Sequence, residues 1–211
     1  MKQKINQTLY AYWNEVRQDR IAPRRFEIEP SQIAPILPNT FVLERIDSET
    51  FRFRLAGTAI CDAFRREFRD SNFLDGWAED DRVSIERMFA VVTQQGGVGL
   101  IDIEAATLDG RIALFEAIVL PLVHTRDSVD RVLGALSPLA PPDWLGCEAL
   151  TDKRIRNIEI IWPNGRPQTV IDALHRQVPF LPHIRKARIV RSDRRQFRVY
   201  DGGLSKRDDQ S

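Results

Sequence analysis

Apolar residues recur at Ile5, Leu9, Tyr12, Trp13 and Val16, the three- and four-residue spacing of a helix with one oily stripe. Pro23 stops that helix near residue 20. Pro23, Pro30, Pro35 and Pro38 then favour extended and turn backbone, with at most a short helical turn at "SQIAPI", so this segment reads as a connector. The period changes to two in "TFVLERI" and "FRFRLAG", where Phe51, Phe53 and Leu55 alternate with Arg52, Arg54 and Ala56; an antiparallel hairpin around "DSET" is predicted. Gly57 frees the backbone to turn, and Thr58 is expected to cap a short helix through Phe64.

From Arg65 to Ala78 no long period survives, although Phe68, Phe73, Leu74 and Trp77 remain as apolar anchors around the "DG" at Asp75 and Gly76. Glu79, Asp80 and Asp81 open a longer helix, where carboxylates suit the positive end of the dipole, and Ile85, Met88, Phe89 and Val92 mark its buried stripe. Gly96 and Gly97 end it. "VGLIDIEAAT" and "RIALFEAIVLPL" flank the "LDG" of 108–110 as a second hairpin, and "RVLGALSPL" supplies a fifth strand. Pro138, Pro141 and Pro142 punctuate the chain at a domain end. Beyond them lie a strand candidate at Asn157 to Trp162, a helix candidate around Val170 to Gln177, and the strand-like pieces "ARIV" and "FRVY".

This order predicts an α+β fold: a five-stranded antiparallel sheet with short helices on one face. An amphipathic helix and connector (1–38) precede the domain (39–142), and a C-terminal extension (143–211) follows it. It is the element order of the PAS fold. The stretches "YAYWNEVRQDRIAPRRFEIEPSQIAPILPNTFVLE", "FRFRLAGTAICDAFRRE" and "NFLDGW", with the "DGG" at Asp201 to Gly203, resemble a bacterial family of PAS-containing proteins of about this length. The likeness is weakest over 143–183. That family tends to carry glycine where this chain has Arg65 and Asp70, two sites at which a positive φ would strain arginine more than aspartate.

The resemblance implies a regulatory sensor or protein-interaction module, standing alone, acting in bacterial signalling through another protein and with no catalysis of its own. It also implies that residues 52–77 form the second strand and the helices closing over the sheet, with a cavity between them.

Composition narrows the setting. Hydrophobic residues make up 43% and charged residues 29% of the 211-residue chain, the profile of a globular protein able to bury its own core. The first residues lack a signal-type apolar run, and "ALFEAIVLPLV" is too short to span a bilayer and contains Glu116, so a cytoplasmic protein is expected. Cys61 and Cys147 are far apart, outside any zinc spacing with His124, His175 or His183, and read as reduced structural thiols.

Net charge is +1, without general bias toward nucleic acid or anionic membrane. Between His183 and Arg198, however, seven cations face the single acid Asp193. Interleaved with Phe197 and Tyr200, this run is read as a solvated strand pair or a site for an acidic protein, the alternative being a nucleic-acid regulator that grips phosphates.

Cofactor chemistry finds little footing in the sequence. Cys61 sits in "GTAICDAF" without the polar companions of a flavin-reactive cysteine, and the helix over 79–95 has no histidine to ligate haem. The chain has no GxSxG, Walker lysine or HExxH motif, and "GGVG" at 96–99 is a helix stop entering a strand. Arg191 and Arg195 have an RxxxR spacing, but no second small barrel remains to complete a cyclic-dinucleotide site.

Two sites follow. Leu9, Tyr12, Trp13 and Val16 form a stripe that either meets a second copy in a homodimer or is covered by the domain's own sheet. For the ligand site, a two-residue turn at Asp109 and Gly110 would pair Ile103 with Glu116 and put that carboxylate on the aliphatic face. There it would orient a small ligand in a cavity also lined by Phe64, Trp77, Met88 and Ile103. A one-residue bulge would instead send Glu116 to solvent.

Overall fold

The computed structural model describes residues 1–124 and 128–167. The first helix, α1 (Lys4–Arg17), leads through short 3-10 turns at Arg25–Glu27 and Pro30–Asn39 into β1 (Thr40–Arg45) and β2 (Phe51–Ala56). Then come α2 (Thr58–Phe64), α3 (Glu79–Gln95), β3 (Val98–Ala106), β4 (Ile112–Leu122), β5 (Arg131–Pro138) and β6 (Asp152–Ile161). Thr58 is the first residue of α2 rather than its cap, a place taken by Gly57.

Among the described residues the strands form one antiparallel sheet in the order β2-β1-β5-β4-β3-β6. The sheet thus has six strands where the sequence predicts five. The sixth comes from the segment after Pro142 and pairs along the whole of β3 from Val98 to Ala106, with a bulge between Asp102 and Ile103. Its alternation of charged and aliphatic residues is the solvent-and-core pattern of an edge strand.

Both faces of the sheet are covered, so the helices do not all gather on one side. Ile101, Ile103, Phe115 and Ala117 face α2, α3 and the segment between them. Leu100, Ile118, Leu120 and Ala135 face α1 and the Pro30–Asn39 turns. Burial on both faces explains why β4 reads as an almost unbroken apolar run. The α1 stripe is therefore covered by the chain's own sheet. Leu9 and Trp13 have no exposed surface, Trp13 Nε1 donates to the Pro121 carbonyl at 2.9 Å, and Tyr12 and Val16 are half-buried. A dimer contact built on Leu9 and Trp13 would first have to expose them.

The β3–β4 connection decides the fate of Glu116. Thr107 N–H donates to the Arg111 carbonyl and Gly110 N–H to the Thr107 carbonyl, each at 3.0 Å, which leaves a three-residue loop of Leu108, Asp109 and Gly110. Gly110 has φ 85°, the left-handed conformation that closes such loops and that glycine adopts without a Cβ clash. The extra loop residue shifts the register by one from the expected pairing. Asp102 faces Glu116 and Ile103 faces Phe115, so Glu116 lies on the α1 face of the sheet. No described helix is long and apolar enough to cross a membrane.

Candidate functional site

The segment between α2 and α3 is held against β2 by backbone. Phe53 N–H donates to the Ser71 carbonyl at 2.9 Å, Asp70 N–H to the Phe53 carbonyl at 2.9 Å, and Phe73 N–H to the Phe51 carbonyl at 2.8 Å. The turn that starts this run has Arg65 at φ 52° and Asp70 at φ 64°, the two places where the resembling family favours glycine. Its anchors Phe68, Phe73 and Trp77 are thereby brought over the inner face of the sheet.

They meet a chain of rings. Phe53 and Phe68 stand 5.1 Å apart, Phe64 and Phe68 5.5 Å, Phe64 and Phe115 5.4 Å, and Phe41 and Phe53 5.9 Å between centroids. Such offset and edge-on contacts suit the ring quadrupoles.

A cavity remains beneath this segment, walled by Phe53, Phe64, Phe68, Trp77 and Ile103. Its free volume is about 40 Å³, room for a few waters, and its rim is partly open to solvent. The rim is polar and carries Arg66, Ser71, Asn72, Asp75 and Lys153. Two wider surface depressions of about 310 and 290 Å³ lack this aromatic cluster.

Lys153 comes from β6. Its Nζ donates to the Asp75 carbonyl at 2.7 Å and stands 4.8 Å from the centroid of the Trp77 ring. Gly76, at φ 72°, supplies the left-handed turn beside it, and even a Cβ there would meet the Lys153 Cε only at an ordinary contact of 3.7 Å. Asp81, at the start of α3, accepts from Ile155 N–H at 3.1 Å and fixes the strand beside it. Burial and then the nearby Arg66 guanidinium push the Lys153 ammonium down to about 8, against an opposing pull from Asp75.

Phe64, Trp77 and Ile103 thus line the cavity. Met88 shares the core but turns toward β3, where its Sδ lies 2.6 Å from the place a Cβ would take at Gly99. Glu116 is on the opposite face, and its carboxylate anchors the start of α1. It accepts from Lys2 N–H at 2.6 Å, Gln3 N–H at 3.0 Å and Asn6 Nδ2 at 2.9 Å, and has no exposed surface. It is neither a pocket residue nor a solvated one.

The residues that sequence reasoning missed are Arg66 and Lys153, whereas Phe53 and Phe68 belong to the stretch 52–77 expected to close over the cavity without being singled out. The alternation of "FRFRLAG" already puts Phe53 on the inner face. For Lys153 the available signal is its period-two relation to Ile155, which needs the β3–β6 pairing to become meaningful. Among the described residues no group of three or more His, Cys, Asp or Glu side chains is placed to hold a metal ion. The basic run from His183 to Arg198 and the "DGG" lie outside the described residues.

A family described as PAS domain matches residues 1–137. The chain belongs to the PAS domain family. A solved structure of a light-oxygen-voltage domain, studied with a flavin analogue, shares 11% identity and overlaps 56% of this chain and 90% of its own length, with a TM-score of 0.38. No curated protein matches the chain. PAS domains are generally sensory or regulatory modules. In this one the family match ends at residue 137, before β6, so Lys153 reaches the cavity from outside the matched residues.

Proposed function

We propose that this PAS domain is a regulatory sensor in the cytoplasm of a bacterium, that the cavity under residues 65–78 receives a small molecule, and that occupancy is passed to another signalling protein without chemical turnover. The observation that carries this reading is the cavity itself: an aromatic enclosure between sheet and cover segment, with a polar rim. The cover segment contacts β2 through a few backbone hydrogen bonds and a positive-φ turn, so a ligand that pushes on Phe68 or Trp77 moves a surface segment rather than the sheet. The family supports the sensory role, and the resemblance supports the bacterial setting.

A fragment screen by ¹H–¹⁵N NMR on the full chain tests the cavity. Binders should perturb the amides of Phe53, Phe64, Phe68 and Trp77 while leaving Leu9 and Trp13 in place. A library that binds only elsewhere, or not at all, overturns the reading.

A further inference from the structure

We infer that the ligand of this cavity is a small carboxylate with an apolar body, its charge held at the rim between Lys153 and Arg66 and its short chain seated among Phe53, Phe64, Phe68 and Trp77. This deepens the sensor reading and rests on it. The two cations share one rim, and among the described residues neither makes an ion pair. Several other arginines are matched, among them Arg20 with Glu27, Arg82 with Glu86, Arg131 with Glu44, and Arg156 with Glu104. Two like charges facing each other over an apolar wall repel, and a ligand anion between them would relieve that repulsion.

The donors are free to serve it. Lys153 spends one of its three N–H groups on the Asp75 carbonyl, and the Arg66 guanidinium rests 5.4 Å from the centroid of the Phe68 ring. Both cations are placed by aromatic walls of the cavity, since the Lys153 ammonium lies against Trp77 as Arg66 lies against Phe68. A carboxylate bound here would have its charge on the cations and its body on the rings. A free volume of about 40 Å³ limits that body to a short chain and leaves no room for a ring.

The charged groups facing Lys153 are Arg66 and Asp75, both from the segment between α2 and α3, with Asp81 of α3 engaged by Ile155 N–H. With the ammonium titrating at about 8, carboxylate binding should weaken as the pH rises through that value, whereas a neutral ligand should not respond.

The test titrates the ¹⁵N-labelled full chain with propionate and butyrate and with their neutral counterparts propionamide and butyramide. At pH 7 at least one acid should shift the amides of Phe68, Trp77 and Lys153, with at least tenfold higher affinity than its amide. Lys153→Gln and Arg66→Gln should each weaken that acid about fivefold or more, and raising the pH to 9.5 should weaken it severalfold in the unmodified protein. Arg66 is exposed, and the pH series needs no substitution, so the outcome does not hang on the folding of Lys153→Gln. If the amides bind as tightly as the acids and are unmoved by either variant, the carboxylate inference falls while the sensor cavity stands. If neither acid nor amide perturbs the cavity, the carboxylate inference falls, and the sensor reading falls with it only if the fragment screen also finds no binder there.

Discussion

Glu116 shows how one loop residue decides what a side chain does. Set across from Asp102 by the three-residue loop, its carboxylate receives two backbone amides and Asn6 at the positive end of α1. Lys2 Nζ, 2.6 Å from Asp102, offsets the second acid. Burial pushes the Glu116 carboxyl up, but the Gln3 and Lys2 amides and Asn6 outweigh it and hold the group below the usual carboxylate range. A carboxyl depressed on folding stabilises the protein above its unfolded value of about 4.5, and that contribution disappears as pH falls through the folded value. Glu116→Gln should therefore cost about 2–3 kcal/mol at pH 7, read by urea unfolding, and should remove part of the acid sensitivity. Unchanged stability with an unchanged acid limb would contradict this account. Arg65 supplies a test of opposite sign. Its left-handed backbone at φ 52° costs an L-residue roughly 1–2 kcal/mol, and its side chain is exposed. Arg65→Gly should accordingly raise stability by about 0.5–1 kcal/mol by the same measurement.

At the scale of elements, α1 belongs to the core it covers. Trp13 is enclosed by sheet and connector and hydrogen-bonded to Pro121, so Trp13→Ala should lose about 3–5 kcal/mol in chemical unfolding. Removing residues 1–20 should leave an aggregating chain, seen by light scattering, in place of the folded monomer that an exposed dimer helix would have released. The stripe was legible in the sequence and its partner was not, because a 3.6-residue period marks a buried face without naming what buries it. The same limit explains the rest. The first hairpin, α2, α3 and the next three strands follow from local periods and glycine stops. The register of the β3–β4 hairpin turned on whether the "DG" closed a two- or three-residue loop, a choice made by Thr107, whose hydroxyl meets both the Asp109 carboxylate and the Arg111 amide. Phe64 and Trp77 could be placed near a cavity because they lie in the stretch 52–77 expected to close over the sheet, whereas Ile103 was reached through a pairing with Glu116 that the structure replaces with Phe115. Lys153 could not be placed, since the β3–β6 pairing is non-local and β6 carries no mark of where it docks.

At the largest scale, the sheet gives the described residues two unlike faces. One face is sealed by α1 and the proline-rich turns, and the other is roofed by short turns over an aromatic cavity with a cationic rim. Ligand response should be confined to the second, and hydrogen exchange on a bound carboxylate should slow around Phe68 to Trp77 while amides of α1 stay unchanged. Protection gained equally on both faces would show that the sheet transmits occupancy. The anchoring of Lys2 and Gln3 on Glu116 has a mechanical consequence as well. β4 lies inside the sheet, flanked by β5 and β3, so a tether pulling on the N-terminus would load an interior strand through a carboxylate clamp. Tension would first pluck α1 from its seat and bare the sealed face, while the roof over the cavity carried none of the force.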